Sequence, residues 1–230
     1  MTQVEIQLSN TTTETVGNEG VEIIRVADVF GDPAAIVDAA AEASYAHINP
    51  HYPGIRAAVP AELLNQLCDA VSDLTAAHLD QPQRAWMGQA WYSIVTHAPA
   101  QLTPIQRLPH FDGFDEDQVA IMIYLNQTAH GGTAFYRQKD TGFERITEPR
   151  FPDYKAKLES GVRASGLPPA HYITDGAPHF EQIADFGAAY NSLILYPGTL
   201  LHSGVIDNNL ALPSDPRTGR LTLNGFFRPA

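Results

Sequence analysis

Two helical patterns near the N-terminus, followed by apolar runs of strand length punctuated by turn residues, predict a mainly β chain of the α+β kind. At 230 residues and 44% hydrophobic, the chain can bury one substantial core. A single jelly-roll domain over 1–230, with N-terminal helices flanking its core, fits that length.

The elements follow in order. VEIQL alternates briefly, and the polar, threonine-rich stretch after it reads as loose; VEIIRV then reads as a strand. Asp32-Pro33 is a helix start, with Asp32 as N-cap and Pro33 in the first turn, and it predicts a helix over 33–45. Pro60 opens a second helix, because Leu63, Leu64, Leu67, Val71 and Leu74 recur at helical spacing and carry His78 into or just beyond the last turn. WMGQAWYSIVT, VAIMIYLN and the two apolar runs of SLILYPGTLLHSGVI, divided by Tyr-Pro-Gly-Thr, read as strands. HFEQIADF reads as a short helix. Residues 138–191 form a long insertion around a charged helical piece, DYKAKLESGVRAS, and are expected to act as a lid or a dimer contact, since long loops at the mouth of a barrel carry specificity.

Composition bounds the function. A net charge of −12 and a pI near 5.0 argue against nucleic acid, which needs clustered Lys and Arg, and against an acidic membrane surface. Cys68 is the lone cysteine, so no intrachain disulfide can form, and a reducing cytoplasm is the economical expectation. The first twenty residues show neither a basic start nor an apolar signal region, and no segment approaches a membrane span.

Among nine histidines, three begin a His-x-acid pattern. His78-Leu79-Asp80 sits at a helix end, where residues two apart diverge and a histidine can simply meet the helix dipole. His179-Phe180-Glu181 falls in the expected short helix. His110-Phe111-Asp112 lies in an extended segment between QLTPIQRLP and the turn GFDEDQ, where positions i and i+2 share a face and can close on one ion. Two imidazoles and one carboxylate suit Fe(II) and leave positions open for cosubstrate and dioxygen. His202, on a distant apolar run, is the candidate second imidazole, although alone it reads equally as a core histidine.

Beyond the residues themselves, VAIMIYLNQTAHGGTAFYR resembles the segment that follows the iron-binding His-x-Asp of prolyl-4-hydroxylase-type oxygenases. LILYPGTLLHSGV resembles their distal-histidine strand, and TGRLTLNGFF resembles the strand carrying their 2-oxoglutarate-binding basic residue. The chain is thereby similar to the Fe(II)/2-oxoglutarate-dependent dioxygenase superfamily, in a little-characterised bacterial branch. The resemblance implies a double-stranded β-helix core, His110, Asp112 and His202 as catalytic iron ligands, and Arg220 as anchor for the far carboxylate of 2-oxoglutarate. A planar guanidinium suits that carboxylate, and Thr222, two positions along the strand, can donate to it. Tyr124 is a further cosubstrate contact in some relatives; the phase of its strand is not legible in the sequence. His202 and Arg220 are separated by a loop, IDNNLALPSDPRTG, longer than the family's short link, which makes Arg217 a weaker rival anchor.

The implied cofactors are Fe(II), 2-oxoglutarate and dioxygen, and the implied reaction is hydroxylation of a small molecule such as an amino acid or natural-product intermediate. With Asp112 present no coordination position is vacated for halide; desaturation and cyclisation stay open, as do a peptidyl or protein hydroxylase and a non-catalytic metal-binding jelly roll. Arg137, Gln106 and Tyr136 are candidate substrate residues, Asn224 lies beside the motif segments, and Gly131 and Gly132 read as turn glycines. A small-molecule partner is expected, with neither nucleic acid nor membrane, and a homodimer is an open expectation.

Overall fold

The computed structural model describes residues 5–127 and 131–230. Among these it holds ten strands and three α-helices. The strands are β1 (Thr11–Val16), β2 (Val21–Val26), β3 (Gly54–Ala58), β4 (Trp86–Val95), β5 (Val119–Tyr124), β6 (Thr133–Gln138), β7 (Phe180–Phe186), β8 (Ser192–Pro197), β9 (His202–Gly204) and β10 (Arg220–Pro229). The helices are α1 (Pro33–Ala41), α2 (Ala61–His78) and α3 (Phe151–Ser165). Val4 of the VEIQL segment and residues 128–130 of the strand-turn-strand motif lie outside the described residues.

The strands form two antiparallel sheets, one ordered β1-β2-β8-β5-β10-β4-β3 and the other β7-β6-β9. The period-2 pleat divides the large sheet cleanly. One face carries Leu221, Leu223, Ile121, Ile123, Ile94, Leu193 and Leu195, which pack with Ile36 of α1 and Leu63, Leu67, Val71 and Leu74 of α2 into the largest apolar cluster. The other face carries Ile23, Ala120, Tyr124, Ile194 and Tyr196, which pack against Phe135 of β6 and Phe186 of β7. Helix α3 covers the far side of the small sheet, with Tyr154 against Ala134, Tyr136 and Phe180. The chain is mainly β, as expected.

Helix starts follow the sequence. The Asp32 side chain accepts from the Ala35 amide at 3.1 Å and caps α1. Three readings are corrected. Helix α1 stops at Ala41 instead of 45, because Ala46 exchanges both backbone hydrogen bonds with Arg56 and is drawn into the β3 edge. The threonine-rich stretch is the strand β1, whose residues from Thr11 to Val16 pair one for one with β2. HFEQIADF is the strand β7. Its Phe180, Ile183 and Phe186 mimic a helical period because Ile183 is the extra residue of a bulge between Phe135 and Tyr136 of the facing strand. That bulge sends Phe180 to the α3 side and Phe186 to the inter-sheet side, where a regular strand would put both on one face. The inserted helical piece is present as α3.

Candidate metal centre

His110 and His202 face each other across an antiparallel bridge, with His110 N donating to His202 O at 2.9 Å and His202 N to His110 O at 2.8 Å. His202 in turn pairs with Phe135, an inter-sheet residue, so both imidazoles lie on the small sheet's inner side with ring centroids 4.3 Å apart. Two residues on, the Asp112 amide donates to Gly198 O at 2.7 Å, which brings its carboxylate back to the same side. The three side chains offer ligand atoms within 4.8 Å of one another.

The donor chemistry fits a divalent ion. His202 Nδ1 is 2.8 Å from the Leu200 carbonyl, which requires that nitrogen to carry the proton and leaves Nε2 with a free lone pair. That Nε2 stands 3.6 Å from Asp112 Oδ2, and His110 Nε2 stands 3.9 Å from Asp112 Oδ1. These spacings exceed a hydrogen bond, yet Asp112 Oδ2 is buried without a hydrogen-bond partner. An ion among the three groups would satisfy it.

Burial raises the Asp112 carboxyl to about 6, with His110 and Arg56 pulling the other way. Burial lowers His202 to about 4, opposed by its bond to Leu200. His110, whose side chain is half exposed, is pushed down by desolvation, by His202 and by Arg56, with Asp112 opposing. At neutral pH the site therefore presents two neutral imidazoles and a costly buried carboxylate, the protonation states that metal ligation needs.

The opposite wall is the inner face of the large sheet. Register places Arg56, Ser93, Thr222 and Tyr124 side by side across β3, β4, β10 and β5. Arg220 lies two residues before Thr222 on the same face and is 3% exposed; its Nη2 donates to Gly132 O at 3.2 Å. The Tyr124 hydroxyl donates to Thr133 Oγ1 at 2.8 Å, and burial pushes its phenol up to about 12, with the Arg220 charge opposing. Tyr124 thus shares a face with Thr222 and senses Arg220, which resolves the phase that the sequence left open. Arg217 pairs with the exposed Asp38 at 2.8 Å, away from this wall.

The other sequence candidates, Asn224 apart, lie off this wall. Arg137 is held by Glu144 and Glu181. Tyr136 packs on the α3 side of its sheet. Gln106 donates to the carbonyls of Pro50 and His51 and ties their loop to the segment leading to His110. Asn224 accepts a hydrogen bond from Ser93 Oγ on the inner face. His78 Nδ1 lies near Thr13 and His179 Nε2 near Ser165, and neither belongs to the cluster of His110, Asp112 and His202. Gly131 has φ +74° and a Cβ there would come within 1.7 Å of Val205 O, so a close backbone approach accounts for it.

Sequence reasoning missed Arg56 and Tyr52. Arg56 is 9% exposed, with its guanidinium 4.1 Å from the Tyr52 ring centroid and 5.4 Å from that of Trp91. The Tyr52 phenol is pushed up by burial, with the charges of Arg220 and Arg56 opposing. A lone Arg within the apolar run GIRAAV was the available signal.

The sequence profile of a family of unknown function, DUF6445, matches residues 8–227. The chain belongs to that family. No match is found among curated proteins. Among solved structures the DUF6445 chain is similar to HygX from Streptomyces hygroscopicus with nickel, 2-oxoglutarate and hygromycin B bound, at 12% identity and a TM-score of 0.48, covering 92% of this chain and 84% of that one. It is also similar to an oxidoreductase of the 2OG-Fe(II) oxygenase family from Burkholderia pseudomallei, at 12% identity and a TM-score of 0.45 over 90% and 84%. A prolyl-4-hydroxylase from Pseudomonas putida is similar at 13% identity and a TM-score of 0.37, over 86% of this chain and 100% of that one.

Proposed function

We propose that this chain is an Fe(II)- and 2-oxoglutarate-dependent dioxygenase built on a double-stranded β-helix core, which hydroxylates a small molecule such as an amino acid or natural-product intermediate. The observation that carries the reading is the convergence of His110, Asp112 and His202 on one sheet opposite the buried Arg220 and Thr222 on the other.

Within this reading His110, Asp112 and His202 would hold Fe(II). When bound, the metal would supply the oxidising chemistry with dioxygen as oxidant, one oxygen atom going to 2-oxoglutarate, which yields succinate and carbon dioxide, and the other to the substrate. Arg220 meets the far carboxylate of 2-oxoglutarate through a paired, charge-assisted contact, and the Thr222 hydroxyl is on the same face to donate as well. Leu200 O fixes the His202 tautomer, so that Nε2 remains the ligand atom. The inter-sheet apolar residues Phe135, Ile194 and Tyr196 exclude water behind the triad.

Anaerobic titration of the apo-protein with Fe(II) and 2-oxoglutarate tests the assignment. A weak visible charge-transfer band is expected in wild type, abolished by His110→Ala and weakened by Arg220→Gln. Folded, iron-loaded protein that develops no band on adding 2-oxoglutarate would refute the 2-oxoglutarate assignment.

A further inference from the structure

The inner wall carries two buried guanidiniums, and the cosubstrate has use for one. Arg220 sits near the start of β10, whereas Arg56 belongs to the edge strand β3, two strands away. Adjacent strands are spaced about 4.8 Å, so the two backbones stand roughly 10 Å apart across the sheet. A bidentate pair joins one guanidinium to one carboxylate, so Arg220 on the far carboxylate of the cosubstrate leaves Arg56 to take a second anion.

Arg56 is arranged as a receptor and not as a structural ion pair. Among the described residues no carboxylate ion-pairs with it, and its buried Nε has no hydrogen-bond partner. The Tyr52 and Trp91 rings lie with their centroids 4.1 and 5.4 Å from the guanidinium carbon, within cation–π range. Register sets Arg56 on the inner face of the large sheet, in line with Ser93, Thr222 and Tyr124. A buried guanidinium with an unpartnered Nε and no carboxylate in ion-pair contact suits an anion that arrives.

Formal charge gives the same count. A divalent ion on Asp112, with dianionic 2-oxoglutarate and Arg220, leaves one positive charge in the site, that of Arg56.

We infer that Arg56, held by Tyr52 and Trp91, is the specificity anchor for a carboxylate on the substrate to be oxidised, and that Arg220 serves the cosubstrate. The substrate class is then a small carboxylic acid whose carboxylate docks on β3 and whose remaining carbon skeleton extends toward the triad. The inference rests on the dioxygenase reading for the word substrate, but the carboxylate site itself does not.

Trp91 is one of two tryptophans, so Trp86→Phe makes it the sole indole reporter beside Arg56. The Ni(II)- and 2-oxoglutarate-loaded protein would be titrated with acetate and 3-phenylpropionate, and with acetamide and 3-phenylpropanamide as neutral counterparts, following Trp91 emission. Saturable binding of the carboxylates is expected, with the amides weaker by about tenfold or more, the loss typical of a charge-assisted hydrogen bond. Arg56→Gln should abolish that discrimination, Arg56→Lys should keep part of it, and both should retain the Fe(II)–2-oxoglutarate band. Equal binding of acids and amides by wild type would overturn the inference even if no Arg56 variant folded. Loss of the band in Arg56→Gln would also overturn it, by making Arg56 the cosubstrate's anchor. If the band is absent in wild type but carboxylate binding still depends on Arg56, the dioxygenase reading fails and the anion site stands.

Discussion

Replacing Asp112 with asparagine should stabilise the metal-free protein at pH 8 and cripple its metal binding. The Asp112 side chain is 8% exposed, Oδ2 lacks a hydrogen-bond partner, and burial lifts its pKa from 3.8 to about 6. Because the folded-state value lies above the unfolded one, the carboxyl contributes its stability in full below about pH 3.8 and loses it as pH rises through about 6. At about 1.4 kcal/mol for each pH unit between those values, the ionised carboxylate costs the apo-protein about 3 kcal/mol at pH 8. Asparagine has the same shape and no charge, and its amide can donate toward the bare His202 Nε2. Urea unfolding of apo wild type and Asp112→Asn at pH 8 should therefore favour the variant by about 2–3 kcal/mol. In a chain of 230 residues this corresponds to a melting shift of roughly 5–10 °C. At pH 4 the advantage should vanish. His110 and His202 also titrate in this range, but they are present in both proteins and drop out of the difference to first order. Saturating Ni(II) should reverse the order, since wild type gains the binding free energy and the variant loses a ligand. A variant equally destabilised at pH 4 and pH 8 would refute the reasoning and make Asp112 a structural partner.

Other outcomes follow from single features. Ni(II) affinity, measured by calorimetry, should be nearly flat above pH 7 and fall about tenfold per pH unit below about 6, as the Asp112 proton must be displaced, then more steeply below about 4 as His202 protonates. Gly131→Ala should lower stability by more than about 2 kcal/mol in urea unfolding, because it combines a left-handed φ with a Cβ driven against Val205 O. Asp32→Ala should cost only about 1 kcal/mol through loss of the α1 cap, with metal binding unchanged. Leu223→Ala, at a fully buried position between the sheet and α2, should cost about 2–5 kcal/mol in the same assay.

The sequence by itself determined the features governed by neighbours in the chain. The Asp32-Pro33 start, the apolar period of α2, the strands around YPGT and the chelating spacing of His110 and Asp112 are all local, set by dihedral preference and by periods of 3.6 or 2. Tertiary structure decided whatever depends on which strand lies beside which. The β7 bulge disguised a strand as a helix until β6 was its partner, and the early end of α1 depends on Ala46 meeting Arg56. Tyr124 joins Thr222 because their strands pair in that register; a slip of one residue would have turned it toward the helices. Arg56 looks like one charge in an apolar run until register sets it in line with Ser93, Thr222 and Tyr124. Local sequence carries side-chain alternation but not inter-strand register, since register is chosen by hydrogen bonds and packing between segments far apart in the chain. The candidate metal ligands were therefore partly legible in the sequence, and the proposed second cationic anchor was not.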